Sequence, residues 1–365
     1  MGAVDVIILH PLPSPTAGPL ETALAGVRLD LAERNRSAFL AGGAETARVV
    51  AGPPDQRPFG VRLSELRAGL GPGRGLVILG SGALPLATPA DLRAFVAAAT
   101  AAEPLALVNN RYSADVVAVS ATANAILGRL PDAFPTDNAL PRWLAEVGGV
   151  RVVDLRGRWR LAMDLDSPLD AILVAAARPG QTDRLPASLA PAAARLGPVV
   201  DAVRAILTDR RAELVVAGRA SAATLGWLER AARCRVRALV EERGLRASSS
   251  LALGDPASAS PRRPRSILGM VLDAGGPGVV GDRLAELGDG AVVDTRVLLA
   301  HRLGGDEAAW PSAGARFASD LLDPRGVDDP WLAELTAAAT AAPIPILLGG
   351  HSLVGPGIRL VGSRS

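Results

Sequence analysis

The chain has 365 residues, of which 49% are hydrophobic, and its formal net charge at pH 7 is only +2. This composition supports a full hydrophobic core and argues against disorder, and the small net charge gives no reason to expect specific nucleic-acid binding. All 39 cationic side chains are arginine, which excludes a Walker-type P-loop lysine, a lysine base and a Schiff base. The single cysteine, Cys234, excludes an intrachain disulfide and a cysteine-based zinc cluster.

The amino-terminal residues and the lengths of the apolar runs predict the compartment. Residues 1–13 place an acidic side chain before a short apolar run and contain no basic region, which favours a first strand over a signal peptide. No uninterrupted apolar run reaches about 18 residues, so the sequence predicts no membrane span. We therefore expect a cytoplasmic protein without a membrane partner, which could form a homo-oligomer.

Strand-like and helix-like segments alternate along the first half of the chain. The predicted strands are Val4–His10, Gly75–Gly80, Leu105–Val108, Val116–Ser120 and Val150–Leu155. The predicted helices are Leu20–Leu40, a helix to about Ala101 that Thr88 caps and Pro89 opens, and Leu140–Val147. This alternation is typical of an α/β fold with a mostly parallel, covered sheet.

The alternation restarts after Asp170 and predicts a second α/β unit. Its strands are predicted at Leu214–Ala217, Val236–Glu241, Ile267–Leu272, Ala291–Leu299 and Ile344–Leu348, and its helices at Leu196–Thr208, Ala222–Ala232, near Val279–Leu287 and Pro330–Ala341. Ala247–Ser266 is rich in Ser, Pro, Ala and Arg and predicts a loop. We expect two domains, 1–175 and 176–365.

Two motifs in the first half resemble a known family. Gly75–Leu92 reads GLVILGSGALPLATPADL, a strand, a glycine turn and a Thr-Pro-capped helix, and Met163–Asp170 reads MDLDSPLD. Together they resemble the molybdenum-cofactor guanylyltransferase-like nucleotidyltransferases, over about the first 175 residues. The resemblance implies a glycosyltransferase-A-type sheet of the nucleotide-diphospho-sugar transferase kind.

The resemblance also implies a site and a cofactor. A nucleotide would lie at Gly80, Ser81 and Gly82, and Asp164 and Asp166 would hold Mg²⁺, with Asp166 as the ligand that family position selects. Asp166 and the turn of Gly80–Leu86 should then share one pocket. Without a ligand, the glycines would only make a tight turn and Asp166 would cap the segment at Pro168.

The sequence departs from the family pattern in two places. Ala83 stands where the family has its first metal-binding aspartate, and His10–Leu20 replaces the family's glycine-rich basic loop. No lysine can contact the phosphates in place of that loop, although arginine binds phosphate bidentately. These departures favour a non-catalytic nucleotide-binding protein as one alternative function.

Asn109–Asp115, which reads NNRYSAD, separates two predicted strands. Asn109 and Asn110 suit recognition of a base or ribose, and Arg111 suits a phosphate, if the loop faces a ligand at the carboxyl end of the sheet. The alternative is a simple asparagine-rich turn. The sequence leaves both interpretations open.

Polar and charged side chains also cluster in the second half. Most of the short segments that contain these side chains follow a predicted strand, and α/β proteins place ligands at the ends of such strands. The candidate catalytic residues are Glu241, Glu242, Asp294, Asp320 and His351, together with Asp166 from the first half. The candidate phosphate-binding residues are Arg243, Arg246, Arg296 and Arg316.

Three chemistries fit this C-terminal cluster. The carboxylates could bind a divalent cation, the arginines a phosphate, and His351 could act as a general acid or base. A buried arginine–carboxylate network that only joins strands is the structural alternative. The functional alternative predicts an open cleft lined by His351 and at least two of the carboxylates, and His10 and His301 are expected to be structural.

The leading hypothesis is a nucleotidyltransferase-like enzyme that binds a nucleotide or phosphorylated small molecule with Mg²⁺. A second hypothesis places the active site in the C-terminal cluster and leaves the first domain as a scaffold. A third is the non-catalytic nucleotide-binding protein. Fold alone does not decide among them, because function depends on individual sites.

Overall fold

The computed structural model describes residues 2–53, 57–177, 185–241 and 263–363. The chain divides into two compact units. The first unit comprises Met1–Ala17 and Ala25–Leu165, and the second comprises Gly18–Leu24 and Asp166–Ser365. None of the described helices is both long and apolar enough to cross a bilayer.

The first unit contains a six-stranded sheet with helices on both faces. Its strands are β1 Val4–Pro11, β2 Thr46–Gly52, β3 Gly75–Gly80, β4 Leu105–Val108, β5 Val116–Val119 and β6 Arg151–Asp154. Its helices are α1 Pro19–Ala41, whose start belongs to the second unit, α2 Phe59–Ala68, α3 Pro89–Ala99, α4 Ala121–Ile126 and α5 Leu140–Glu146.

The strand order of this sheet is β2-β1-β3-β5-β4-β6, and only β5 runs antiparallel to its neighbours. The short connection Asn109–Asp115 explains this exception, because a parallel pair needs a crossover of about a dozen residues. Side chains of β1 alternate between two cores: Val6 and Ile8 enter one hydrophobic cluster, and Ile7 enters the other. Both faces of the sheet are therefore covered.

The second unit contains a four-stranded, fully parallel sheet in the order β10-β9-β7-β8. The strands are β7 Glu213–Gly218, β8 Arg235–Val240, β9 Gly290–Asp294 and β10 Ile346–Gly349. The helices are α6 Pro168–Ala176, α7 Ala190–Thr208, α8 Ala222–Ala231, α9 Ile267–Gly275, α10 Val280–Ala285, α11 Thr295–Leu303, α12 Ala313–Asp320, α13 Pro330–Ala341 and α14 Ile358–Gly362. The strand order reverses between β7 and β9, the position at which such sheets leave a crevice for ligands.

These sheets confirm the prediction of a mostly parallel α/β sheet followed by a second α/β unit. Thr88 caps α3 as predicted, and its side chain accepts a hydrogen bond from Asp91 N. Gly75–Gly80 and Pro330–Ala341 have the predicted bounds.

Two strand predictions in the second unit are wrong. Ile267–Leu272 belongs to helix α9, which Ser266 caps by accepting a hydrogen bond from Gly269 N. The segment Ala291–Leu299 is a strand only as far as Asp294, where Asp294 caps helix α11. Both errors arise because a short apolar run has no period that separates a buried strand from a buried helix.

Candidate functional site

The glycine turn after β3 places two polar side chains at the carboxyl edge of the first sheet. Leu9 pairs with Gly80, so β1 and β3 end side by side. The backbone N–H of Ser81 donates to Leu9 O at 2.8 Å, and His10 Nδ1 lies 3.1 Å from Ser81 Oγ. His10 and Ser81 are both buried. Burial and the nearby positive charge of Arg28 lower the pKa of His10 below its ordinary value, so its imidazole is neutral at pH 7.

A carboxylate and a guanidinium lie against the same turn. Ala83 and Asp164 form an isolated antiparallel bridge, which holds Asp164 beside the glycines. A Cβ built on Gly82 would lie 2.6 Å from Asp164 Oδ1 and 3.2 Å from Arg28 Nε. Arg28 Nε in turn donates to Leu165 O at 2.6 Å. Gly82 is therefore required by the close approach of charged side chains, and Arg28 is a site residue that the sequence analysis did not identify.

The loop Asn109–Asp115 is braced by its own asparagines. Asn109 is buried, its Nδ2 donates to Asp115 Oδ2 at 2.7 Å, and its Oδ1 accepts from Asp115 N at 3.0 Å. Asn110 Oδ1 accepts from Tyr112 N at 3.0 Å, and Arg111 N donates to Asp154 Oδ2 at 3.2 Å. Both asparagines therefore stabilise the loop through hydrogen bonds. Phosphate binding by Arg111 stays a prediction.

Asp166 belongs to the second unit, where its carboxylate faces the turn that follows β10. Its Oδ2 lies 3.6 Å from His351 Nδ1 and accepts a hydrogen bond from Ser352 Oγ at 3.5 Å. The side chains of Asp166 and His351 are each nearly half exposed, whereas Ser352 is buried. The structure thus brings two of the predicted catalytic residues, Asp166 and His351, together at an accessible position.

Asp170 follows Asp166 by four residues and lies in the first turn of α6. In the sequence it was noted only as the last residue of the motif Met163–Asp170. Asp170 Oδ2 accepts hydrogen bonds from the Ser167 backbone N–H at 2.8 Å and from Ser167 Oγ at 2.9 Å. Complete burial raises the pKa of Asp170, and the negative charges of Asp166 and Asp320 raise it further, to about 8. Asp170 is therefore mostly protonated at neutral pH.

Two arginine–aspartate pairs with buried carboxylates lie in the same unit. Arg219 donates from Nε to Asp294 Oδ2 at 2.5 Å and from NH2 to Asp294 Oδ1 at 3.0 Å. Arg296 donates from both terminal nitrogens to Asp320, with an NH2–Oδ2 distance of 2.7 Å. Burial raises the pKa of Asp320 despite the opposing charge of Arg296. Asp294 and Asp320 are thus held by arginines, as a structural network requires.

The other predicted residues of the C-terminal cluster lie in separate surroundings. Glu241 accepts hydrogen bonds from Ser266 Oγ at 2.5 Å and from Ile267 N, and thereby holds the start of α9. Arg316 donates to Glu307 at 3.0 Å and lies over the Trp310 ring. Glu242, Arg243 and Arg246 lie outside the described residues.

The described residues contain no group of three or more His, Cys, Asp or Glu side chains that could hold a metal ion. A magnesium ion needs less than this from the protein, because one or two carboxylates suffice when phosphate oxygens and water complete the octahedron. Asp164, beside the glycine turn, is a carboxylate of that kind.

The chain matches no known protein-family model and no curated protein.

Proposed function

We propose that the first unit binds a nucleoside triphosphate with Mg²⁺ at the turn after β3 and transfers its nucleotidyl group. The observation that carries this proposal is the carboxylate of Asp164 packed against Gly82, beside Arg28. The turn lies at the carboxyl edge of two parallel strands, where α/β sheets place ligands. The motifs around it resemble those of nucleotidyltransferases.

The position of Asp164 suggests how this chain compensates for its altered motif. Ala83 occupies the place of the family's first metal-binding aspartate, and its bridge partner is Asp164. A carboxylate is thus present directly across the bridge from the position at which the motif lacks one. A magnesium ion held by Asp164 would neutralise phosphate oxygens, which is the chemistry that such an ion supplies in nucleotidyl transfer.

The remaining groups at the turn would act on the nucleotide directly. Gly80 has open space where a Cβ would stand, so its backbone is approachable. The Arg28 guanidinium would donate to phosphate oxygens in place of the absent lysine. His10 is neutral and hydrogen-bonded to Ser81, and it would position that hydroxyl without adding charge. In the transfer, a nucleophilic oxygen of an acceptor molecule would form a bond to the α-phosphorus, the bond from that phosphorus to the oxygen that bridges to the β-phosphate would break, and pyrophosphate would leave.

Thermal denaturation of the full chain with ATP, GTP, CTP or UTP, with and without Mg²⁺, tests this proposal. A ligand that binds only the native state raises the melting temperature, so we expect a rise that requires both a nucleotide and the metal. Asp164→Asn should abolish the metal-dependent part of the rise. Asp132→Asn, which changes an exposed carboxylate of the same unit, should leave it intact. If no nucleotide stabilises the protein, the proposal fails.

An assay for pyrophosphate release separates transfer from binding alone. A nucleotide that stabilises the protein independently of metal and releases no pyrophosphate would identify the non-catalytic alternative. Release that persists in Asp164→Asn would place the chemistry away from this turn.

A further inference from the structure

The first turn of helix α11 in the second unit contains a side-chain nitrogen without a hydrogen-bond partner among the described residues. Arg296 is only 9% exposed, and its terminal nitrogens donate to Asp320 and to Thr295 Oγ1. Its Nε–H donates no hydrogen bond to any residue in the described part of the chain. Arg296 Nε is not one of the fully buried side-chain atoms that lack a partner in the described residues, so solvent reaches it and a ligand oxygen can replace water as its acceptor.

The unpaired Nε–H faces a gap created by a glycine. A Cβ at Gly350 would have one described neighbour within 4 Å beyond its adjacent residues, Arg296 Nε, at 3.8 Å. Gly350 is partly exposed, so the gap is reachable from solvent. Because glycine has no side chain, position 350 leaves the Arg296 guanidinium open to solvent and to small ligands.

Acceptor and donor groups flank this gap on the next residues. His351 and Ser352 follow Gly350 directly, and both approach the carboxylate of Asp166, at 3.6 Å and 3.5 Å. Thr295 Oγ1 donates to Gly349 O at 3.2 Å, which ties the turn to the end of β9. The site thus combines a cationic donor, an imidazole and an exposed carboxylate.

The carboxylate restricts which anion can enter. Asp166 is an acceptor only, so it repels an anion without a proton and accepts a hydrogen bond from an anion that carries one. Inorganic phosphate retains at least one proton near neutral pH, whereas sulfate has none. The two ions are otherwise nearly identical in size and shape, so the proton alone should distinguish them.

We propose that Gly350, Arg296, His351 and Asp166 form a binding site for a protonated phosphate ion. Arg296 Nε–H donates to one phosphate oxygen, and Asp166 accepts from the protonated oxygen. His351 contributes its imidazole from the solvent side. This site belongs to the second unit and does not depend on the nucleotide site proposed for the first.

Imidazole NMR signals of the full chain provide the test, because the protein has only three histidines. Two of them, His10 and His301, are buried, and the variant His351→Gln identifies the signals of the third. We expect inorganic phosphate to shift the His351 signals and sulfate at the same concentration to leave them unchanged. Equal responses to both ions, or no response to phosphate, would overturn the proposal.

Gly350→Ala is the decisive variant. The added methyl group fits the backbone but fills the space before Arg296 Nε, so phosphate binding should weaken about tenfold or more. Gly305→Ala, which adds a methyl where no neighbour lies within 4 Å, should bind like the natural protein. Unchanged affinity in Gly350→Ala would refute the site.

Asp166→Asn tests the proton requirement and also covers the case in which Gly350→Ala does not fold. Removing the negative charge and supplying an amide donor should let sulfate bind as well as phosphate. If sulfate still fails to shift the His351 signals in this variant, Asp166 is not the group that selects the ligand. Glycerol 3-phosphate in the same titration shows whether a phosphate ester replaces the free ion.

Discussion

Two helices, one in each unit, begin with the same local pattern of a hydroxyl residue, a proline and an aspartate at the third helical position. Thr88–Asp91 opens α3, and Ser167–Asp170 opens α6. In both, the hydroxyl accepts from the aspartate backbone and the aspartate accepts from the cap backbone, which is the reciprocal capping box. Both aspartates have equally little solvent-exposed surface, but Asp170 lies deeper in the protein than Asp91. Locally the two helix starts are equivalent.

Their carboxyl groups nevertheless titrate in opposite directions. Burial alone would raise the pKa of Asp91, but hydrogen bonds from Thr88 and Arg158 and the charge of Arg160 outweigh it and lower that pKa. Asp170 has Asp166 and Asp320 nearby instead, so burial and like charges together raise its pKa to about 8. The comparison shows that one capping motif can hold either an ionised or a protonated acid, depending on how deeply the fold buries the carboxyl group and on which charges it brings close.

Among variants that alter the surroundings of Asp170, we expect Arg296→Met to reduce the free energy of unfolding most. It removes the partner of Asp320 and leaves a fully buried carboxylate uncompensated, which should lower the free energy of unfolding by about 3–5 kcal/mol. Arg283→Met is the matched control, because the Arg283–Glu286 pair is more than half exposed on both sides and should cost less than about 1 kcal/mol. Urea denaturation monitored by circular dichroism measures both. Similar losses in the two variants would show that the buried pair contributes no more to the free energy of unfolding than the exposed pair does.

The protonated state of Asp170 predicts that the free energy of unfolding falls as the pH rises from about 4 to about 8 and levels off above that range. Its pKa is about 8 in the folded protein and 3.8 ordinarily, so its contribution is fully present below pH 4 and is lost as the pH rises through 8. The slope it adds is at most about 1.4 kcal/mol per pH unit. Asp170→Asn keeps an acceptor for the cap and cannot titrate, so urea denaturation between pH 5 and pH 9 should give a flatter profile. An unchanged profile would mean that Asp170 is already ionised.

Asp91→Asn should show the opposite behaviour in the first unit. The lowered pKa of Asp91 gives stability that is present above pH 3.8 and is lost as the pH falls through the folded value. The substitution should cost about 1–2 kcal/mol at pH 7, because Arg158 and Arg160 are nearly half exposed and solvent weakens their pairing. The cost should vanish in strong acid. A cost that is equal at pH 7 and pH 2 would contradict this assignment.

The smallest effects concern the caps themselves. Thr88→Ala and Ser167→Ala each remove one hydroxyl acceptor and should each cost about 1 kcal/mol. Thr88→Ser and Ser167→Thr keep the hydroxyl and should restore most of the loss. Since the two boxes are locally alike, thermal denaturation at pH 7 should give similar losses for the two alanine variants, and a large difference would show that the caps are not equivalent.

Local sequence was sufficient wherever a feature depends on residues a few positions apart. Thr88, Pro89 and Asp91 predict the start of α3 because the capping hydrogen bonds connect positions three residues apart. The run GLVILG predicts β3 because four buried apolar positions bounded by glycines suit a central strand. The same reasoning failed at Ile267–Leu272, where the capping signal is a lone serine and the apolar run fits a strand equally well.

The candidate sites were predictable only in part. Polar residues after strands predicted His351 at the carboxyl end of β10, but Asp166 was assigned to the glycine turn of the first unit, and its contact with His351 was not predicted. Nothing in the sequence pairs Arg28 with the turn at Gly82, or Arg219 with Asp294, because each pair is separated by more than 50 residues. Spacing along the chain carries no signal for such contacts.

The sequence by itself determined that strands and helices alternate, that β3 and α3 begin where they do, that Thr88 caps α3, and that arginine must supply every permanent side-chain positive charge. Only the tertiary structure decided which carboxyl groups are ionised, which arginines are occupied and which donor is left unpaired beside Gly350. The reason is physical: capping and strand formation depend on hydrogen bonds and periodicities within a few residues. The charge state of a buried group depends instead on desolvation and on the neighbours that folding brings within a few ångströms.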